Sequence, residues 1–140
     1  MLDARASGQK IGQVGLELLR ITADGSDTVG DDARPRAVVT GDLFVEPQFR
    51  RQGVAQRLLR EAESRARLWG MTELMLPVRA TNHAALTLYA KMGYEHTGGE
   101  WHSQDKWVCL HRWLYSPNMH TLHSLRPQHN VVEDSRFRRK

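Results

Sequence analysis

Leu43-Phe44-Val45-Glu46-Pro47-Gln48-Phe49-Arg50-Arg51-Gln52-Gly53-Val54-Ala55 runs from an apolar strand through a basic turn straight into a helix. Upstream, residues 37–46 (AVVTGDLFVE) read as a strand stopped by Pro47, and residues 48–53 as a short glycine-terminated turn. Downstream, Val54, Leu58, Ala62 and Ala66 recur at helical spacing over residues 54–69, with Ala55, Leu59 and Trp69 beside them and Gly70 as the cap. The first turn of a helix carries backbone N–H groups without internal partners and partial positive charge, so it is a ready seat for a pyrophosphate. Gly53 lets an anion approach the backbone, Ala55 keeps the turn narrow, and Arg50 and Arg51 add attraction for phosphate. Taken alone, the same turn reads equally well as a plain strand-to-helix connection with a solvated basic rim.

Outward from this stretch, residues 11–21 read as a strand with Val14, Leu16 and Leu18 on one face, and residues 24–36 as a polar loop. Residues 72–79 (TELMLPVR) are apolar on both faces, as in a covered strand, with Pro77 marking an edge or a break in pairing. Residues 82–92 form a second helix, opened by Asn82 as N-cap and closed by Gly93; residues 94–98 and 106–114 make a final strand pair. This order predicts one α/β domain over residues 1–115, a mixed and mainly antiparallel sheet flanked by helices. Residues 116–140 lack any period, contain Pro117 and Pro127, and read as an extended or disordered tail.

The net charge of +4 belongs mostly to that tail. It carries Arg126, Arg136, Arg138, Arg139 and Lys140 against Glu133 and Asp134, whereas residues 1–115 hold 15 basic and 14 acidic side chains. A near-neutral body argues against nucleic-acid binding by the domain; the tail leaves RNA or an acidic protein surface open. No apolar run approaches the length of a membrane span, and the start lacks a secretory pattern. A cytoplasmic or organellar, non-secreted protein is the expectation. The single cysteine, Cys109, excludes an intrachain disulfide and reads as a buried inert thiol, since no base is paired with it. His120, His123 and His129 in the tail and His102 and His111 in the last strands have no metal-ligand spacing, so no metal is expected. Trp107, Cys109, His111 and Trp113 share one strand parity, an aromatic row suited to a protein partner or a homodimer through the C-terminal strand.

Arg50 to Ala55, the A-E-x-x-A run of residues 62–66, Gly70, Leu74-Met75-Leu76-Pro77-Val78 and the segment from Asn82 to Tyr94 come in one order. Together they resemble the GCN5-related N-acetyltransferase (GNAT) family, over about residues 38–98 and more loosely to 114. The run Leu110-His111-Arg112-Trp113-Leu114 is similar to the plastid and cyanobacterial branch, a resemblance that implies the plastid stroma as the organellar location. The resemblance implies a GNAT-like fold that uses acetyl-CoA. Arg50, Arg51, Gln52, Gly53, Val54 and Ala55 match the family's Q/R-x-x-G-x-G/A pyrophosphate motif, with Gln56 in the same turn. The backbone of Leu43, Phe44 and Val45 would hold the pantetheine arm as an added strand. Asn82 and Ala85 would touch that arm, and Tyr89 would protonate the departing thiolate. Asn82 and Tyr89 lie seven residues apart on one helix face, which suits a phenol acting as proton donor. The plain alternative is an aromatic packed on the sheet.

Some family members carry a glutamate base on the strand before the turn. Gly41 stands at that position, and strand alternation would turn the adjacent Asp42 to the opposite face. Glu46 and His83 read as solvated surface, so no base is assigned. The opening strand and helices of the family have no counterpart here, giving a shortened N-terminal part. The expected activity is acetyl transfer to a primary amine, whether a protein N-terminus, a lysine or a small amine, by direct attack. The alternative is an impaired subunit that serves as a structural component of a larger assembly.

Overall fold

The structure, a computed structural model, describes residues 1–102 and 105–114. The tail expected at 116–140, with its three histidines, lies outside the described residues. The elements are β1 (Leu2–Ala6), β2 (Gln9–Ile21), β3 (Arg34–Val45), a 3-10 turn (Pro47–Phe49), α1 (Val54–Leu68), β4 (Glu73–Arg79), α2 (His83–Lys91), β5 (Glu95–His102) and β6 (Lys106–Trp113). They build one six-stranded sheet in the order β1-β2-β3-β4-β6-β5. Every neighbouring pair is antiparallel except β3 and β4, which run parallel with α1 as their crossover. The mixed, mainly antiparallel sheet expected from the sequence is therefore the fold. No described helix is long and apolar enough to cross a membrane.

β1 is absent from the sequence-based expectation. Its alternation is present, with Leu2, Ala4 and Ala6 half-buried and Asp3 and Arg5 exposed. Ser7 and Gly8 link it to β2, both at positive φ (52° and 83°), as a two-residue hairpin of primed type requires. Five residues, two of them alanine, carry too little β-propensity to stand out. β3 also starts earlier than expected, at Arg34, because Arg34 to Ala37 pair with Leu18 to Ile21.

Both helices pack on one face. Val54, Leu58, Leu59, Ala62 and Ala66 of α1 meet Val14, Leu16, Ala37, Val39, Leu74, Leu76, Val108 and Leu110 of the sheet, and α2 adds Tyr89. Burying each of the larger side chains contributes about 1.5–3 kcal/mol. α1 ends as Gly70 predicted: Met71 N–H donates to the Ala66 carbonyl and Gly70 N–H to that of Arg67, with Gly70 at φ 82°.

The opposite face has a smaller core of Ile21, Val38, Met75 and Cys109, with Leu19 against it. No helix covers it. The connection between β2 and β3 folds across it instead, so that a Cβ added at Gly25 would collide with the Cys109 sulfur. Thr97 Oγ1 fastens this connection by donating to the Asp24 carbonyl at 2.6 Å. The aromatic row expected along β6 is thus interrupted. Cys109 is fully buried beneath the connection, and Trp113 is exposed at the strand's end.

Beside this core lies a buried ionic group. Arg36 Nη1 donates to Glu73 Oε1 at 2.8 Å, and His111 Nδ1 sits 2.9 Å from Glu73 Oε2. Arg36 also donates through Nε to the Ile21 carbonyl and through Nη2 to the Asp32 carbonyl. Arg36 and Glu73 are 5% and 4% exposed, so removing either leaves the other buried without its ion-pair partner. Arg36→Met should lower unfolding free energy by about 3–5 kcal/mol, because it strands a buried carboxylate. Arg36→Met/Glu73→Leu should be more stable than that single variant. Urea midpoints compared at one pH decide both.

Candidate functional site

The site begins where the sheet parts. Among the described residues β3 and β4 pair only at Ala37↔Leu74 and Val38↔Met75. Beyond Val38 the edge of β3 that faces β4 has no ladder partner, and Pro77, which could donate no ladder bond, sits on β4 past that point. β3 also bulges there. Between the pairs Gly15↔Thr40 and Gln13↔Phe44 it carries Gly41, Asp42 and Leu43 against Val14 alone in β2. Gly41 takes φ 73°, which favours glycine.

The turn after β3 forms a cradle. Arg51 and Gly53 both lie at positive φ, 64° and 82°, and Gly53 is the N-cap of α1. No described side chain caps this terminus, and no acidic residue stands in its first turn. The first helical backbone bond runs from Arg57 N–H to the Gly53 carbonyl, which leaves the N–H groups of Val54, Ala55 and Gln56 ahead of it. Val54 is buried and anchors the helix, Ala55 and Gln56 are half-buried, and Arg51, Gln52 and Gly53 are exposed. A Cβ at Gly53 would meet nothing within 4 Å, so the space above the cradle is open. An uncapped, carboxylate-free, accessible helix start fits an anionic phosphate group.

The two arginines divide their roles. Arg50 Nε donates to the Val45 carbonyl at 2.8 Å, and its guanidinium lies 5.7 Å from the centre of the Phe44 ring. Arg50 therefore staples the turn to the end of β3, a structural duty its sequence reading as a phosphate attractor did not include. Gln52 likewise donates to the Gln48 carbonyl.

On α2, Asn82 caps the helix by accepting from Ala85 N–H at 3.2 Å. Asn82 is exposed, Ala85 half-buried, and Tyr89 only 6% exposed. The Tyr89 ring lies 6.1 Å from that of Tyr94, tilted by 58°. His83 is exposed and Glu46 half-buried. Sequence reasoning missed a buried carboxylate nearby: Glu63 of α1, 4% exposed, accepts from Tyr94 Oη at 2.6 Å and from Arg112 Nη1 at 2.9 Å. Its signal was available, since Leu59, Ala62, Glu63 and Ala66 fall on one helical stripe.

The run from Leu110 to Leu114 is accounted for by packing. Leu110 and Leu114 are core, His111 meets Glu73, Arg112 meets Glu63, and Trp113 stands edge-on to His111. Two cavities, of about 160 and 510 Å³, lie against the start of β4 and the β2–β3 connection, away from the cradle. No cluster of three or more His, Cys, Asp or Glu side chains suited to a metal occurs among the described residues.

Comparison with known proteins gives consistent matches. A family model described as the acetyltransferase (GNAT) family matches residues 2–94, including the β1–β2 hairpin. Human N-acetyltransferase 8 is 33% identical over 81 residues, which are 58% of this chain and 32% of that protein. The chain thus matches about a third of that curated relative's length. Naa20 of Chaetomium thermophilum, solved with a bisubstrate analogue, superposes with a TM-score of 0.62 at 24% identity, covering 79% of this chain and 64% of that one. The PaiA N-acetyltransferase of Thermoplasma acidophilum, solved with coenzyme A, gives 0.58 at 20% identity, covering 79% and 58%. At these identities the structural likeness shows the fold.

Cys109 is the one cysteine, and burial pushes its thiol up to about 12. It is no thiolate nucleophile at neutral pH. In the unfolded chain a thiol ionises near 8.5, so the folded state keeps a proton that the unfolded state gives up, and stability falls as pH rises from about 8.5 toward 12. The stability difference between wild type and Cys109→Ala should shift by about 2 kcal/mol in favour of the variant between pH 7 and pH 10. Urea unfolding at the two pH values measures it.

Proposed function

The chain belongs to the acetyltransferase (GNAT) family, and we propose that it transfers the acetyl group of acetyl-CoA to a primary amine. One observation carries this most directly: an uncapped helix start lies beside an unpaired strand edge. The first suits the cofactor's pyrophosphate, and the second an extended amide-bearing arm. In this reading the N–H groups of Gly53, Val54, Ala55 and Gln56 bind phosphate oxygens, with Arg51 adding charge. Arg50 and Gln52 hold the turn in shape. The backbone of Leu43, Phe44 and Val45 pairs with the pantetheine amides, while Asn82 and Ala85 flank the arm.

Acetyl-CoA supplies the activated acyl carbon and a thiolate leaving group. The amine nitrogen bonds to that carbon and the carbon–sulfur bond breaks. Tyr89 gives its phenolic proton to the departing sulfur, and the surplus proton of the amine passes to water, which restores the phenol. Gly41 in place of an acidic side chain supports a solvent route for that proton. The names of the relatives support nitrogen as the acceptor atom. Protein N-termini, lysines and small amines all remain candidates within that class.

A second reading has its own support. Gly41 stands where some family members carry a glutamate base, and among the described residues the face opposite the helices carries the β2–β3 connection and no helix. A subunit that binds the cofactor but relies on another protein, or on a second copy, to build the acceptor side would have this form.

Calorimetric titration with acetyl-CoA should show one site per chain. Transfer assayed on a panel of N-terminal peptides and small amines should then fall about 100-fold in Tyr89→Phe, with acetyl-CoA affinity kept within about twofold. Failure to bind acetyl-CoA would sink the proposal. Binding without transfer to any acceptor would select the subunit reading, and unchanged turnover in Tyr89→Phe would remove Tyr89 from the chemistry.

A further inference from the structure

α2 ends in a way that returns the chain onto its own last turn. Gly93 takes φ 93°, its N–H donates to the Ala90 carbonyl, and Tyr94 N–H donates to the Tyr89 carbonyl at 3.0 Å. This helix stop brings the residue after the glycine against the residue three positions before the cap. Here that contact is ring on ring, Tyr94 against Tyr89. The far end of Tyr94 is also fixed, because its hydroxyl donates to Glu63 Oε2 at 2.6 Å. Glu63 belongs to α1, whose N-terminus is the phosphate cradle, and its other oxygen accepts from Arg112 of β6.

A phenylalanine at position 94 would fill nearly the same volume and would not need a buried carboxylate. Retaining Glu63 at 4% exposure costs desolvation that packing alone does not require. What the pair adds is direction: the bond to Glu63 fixes where the Tyr94 ring lies, and that ring is the wall of Tyr89. Burial and the neighbouring carboxylate raise the Tyr94 phenol above its ordinary value, so it stays a donor to Glu63 at physiological pH.

We infer that Glu63 and Tyr94 are positioning residues for Tyr89, linking the helix that seats the phosphates to the ring that faces the sulfur. This rests on the reading of Tyr89 as the proton donor. Neither residue touches the reacting atoms; they act by holding the Tyr89 ring in one place relative to α1.

The chain has three tyrosines, Tyr89, Tyr94 and Tyr115, so labelling tyrosine at the ring carbon bearing the hydroxyl gives three NMR signals that single Tyr→Phe variants assign. Coenzyme A is the probe. In wild type the Tyr89 signal should move on saturation. In Tyr94→Phe that movement should shrink at least about threefold while calorimetric affinity for coenzyme A stays within about twofold, because the phosphate seat is intact. Tyr94→Phe/Glu63→Met removes both polar partners and keeps the volume, which protects the fold if the single change does not. It should show the same loss. Full Tyr89 movement in either folded variant overturns the positioning role. A wild-type Tyr89 signal that ignores bound coenzyme A overturns the donor reading itself, and the positioning role with it.

Discussion

Two backbone pairings, Ala37↔Leu74 and Val38↔Met75, join the two halves of the described sheet. On one side lie β1, β2 and β3; on the other lie β4, β6 and β5. A sheet joined over so short a ladder would slide or open unless other contacts held the junction. α1 spans it on one face with the apolar stripe from Val54 to Ala66. The β2–β3 connection closes over it on the other, against Met75 and Cys109. Arg36 and Glu73 lock its closed end one residue before the paired positions. The opening beyond Val38 is therefore anchored at its root, and an anchored opening can accept an extended ligand without unfolding the sheet.

Among the described residues, each of the two buried carboxylates has two partners. Glu73 is held by Arg36 and His111, and Glu63 by Tyr94 and Arg112. Each carboxylate ties elements distant in sequence: β3, β4 and β6 in one case, α1, β5's approach and β6 in the other. Buried carboxylates with one partner missing are costly, which gives both groups a strict geometric requirement. At the cradle the opposite logic holds. The helix start lacks a cap and a nearby acid, so its N–H groups and partial charge stay available to a ligand.

Much of the molecule was legible in the sequence because its signals are local. The periodicity of α1, the glycine stops at Gly70 and Gly93, the Asn82 cap and the parted strand at Pro77 each depend on residues a few positions apart. β1 was missed because a short, alanine-bearing strand has little propensity and gains its stability from pairing with β2. The bulge in β3 was not foreseen because it is set by the register between two strands, which one strand does not reveal. The aromatic row on β6 has the right parity, yet a distant connection covers its middle.

The sequence by itself determined the order of elements, the glycine-bearing turn before α1 and the candidate residues on α2. These follow from backbone propensity, capping and spacing, all written along the chain. Only the tertiary structure decided that Arg50 serves the turn by bonding Val45, and that the β2–β3 connection is what seals the Cys109 thiol read as buried from the sequence. It alone paired Glu63 with Tyr94 across 31 positions and Glu73 with Arg36 across 37. A side chain's partner, and hence its charge and freedom, is fixed by what the fold brings beside it, and no local pattern carries that distance.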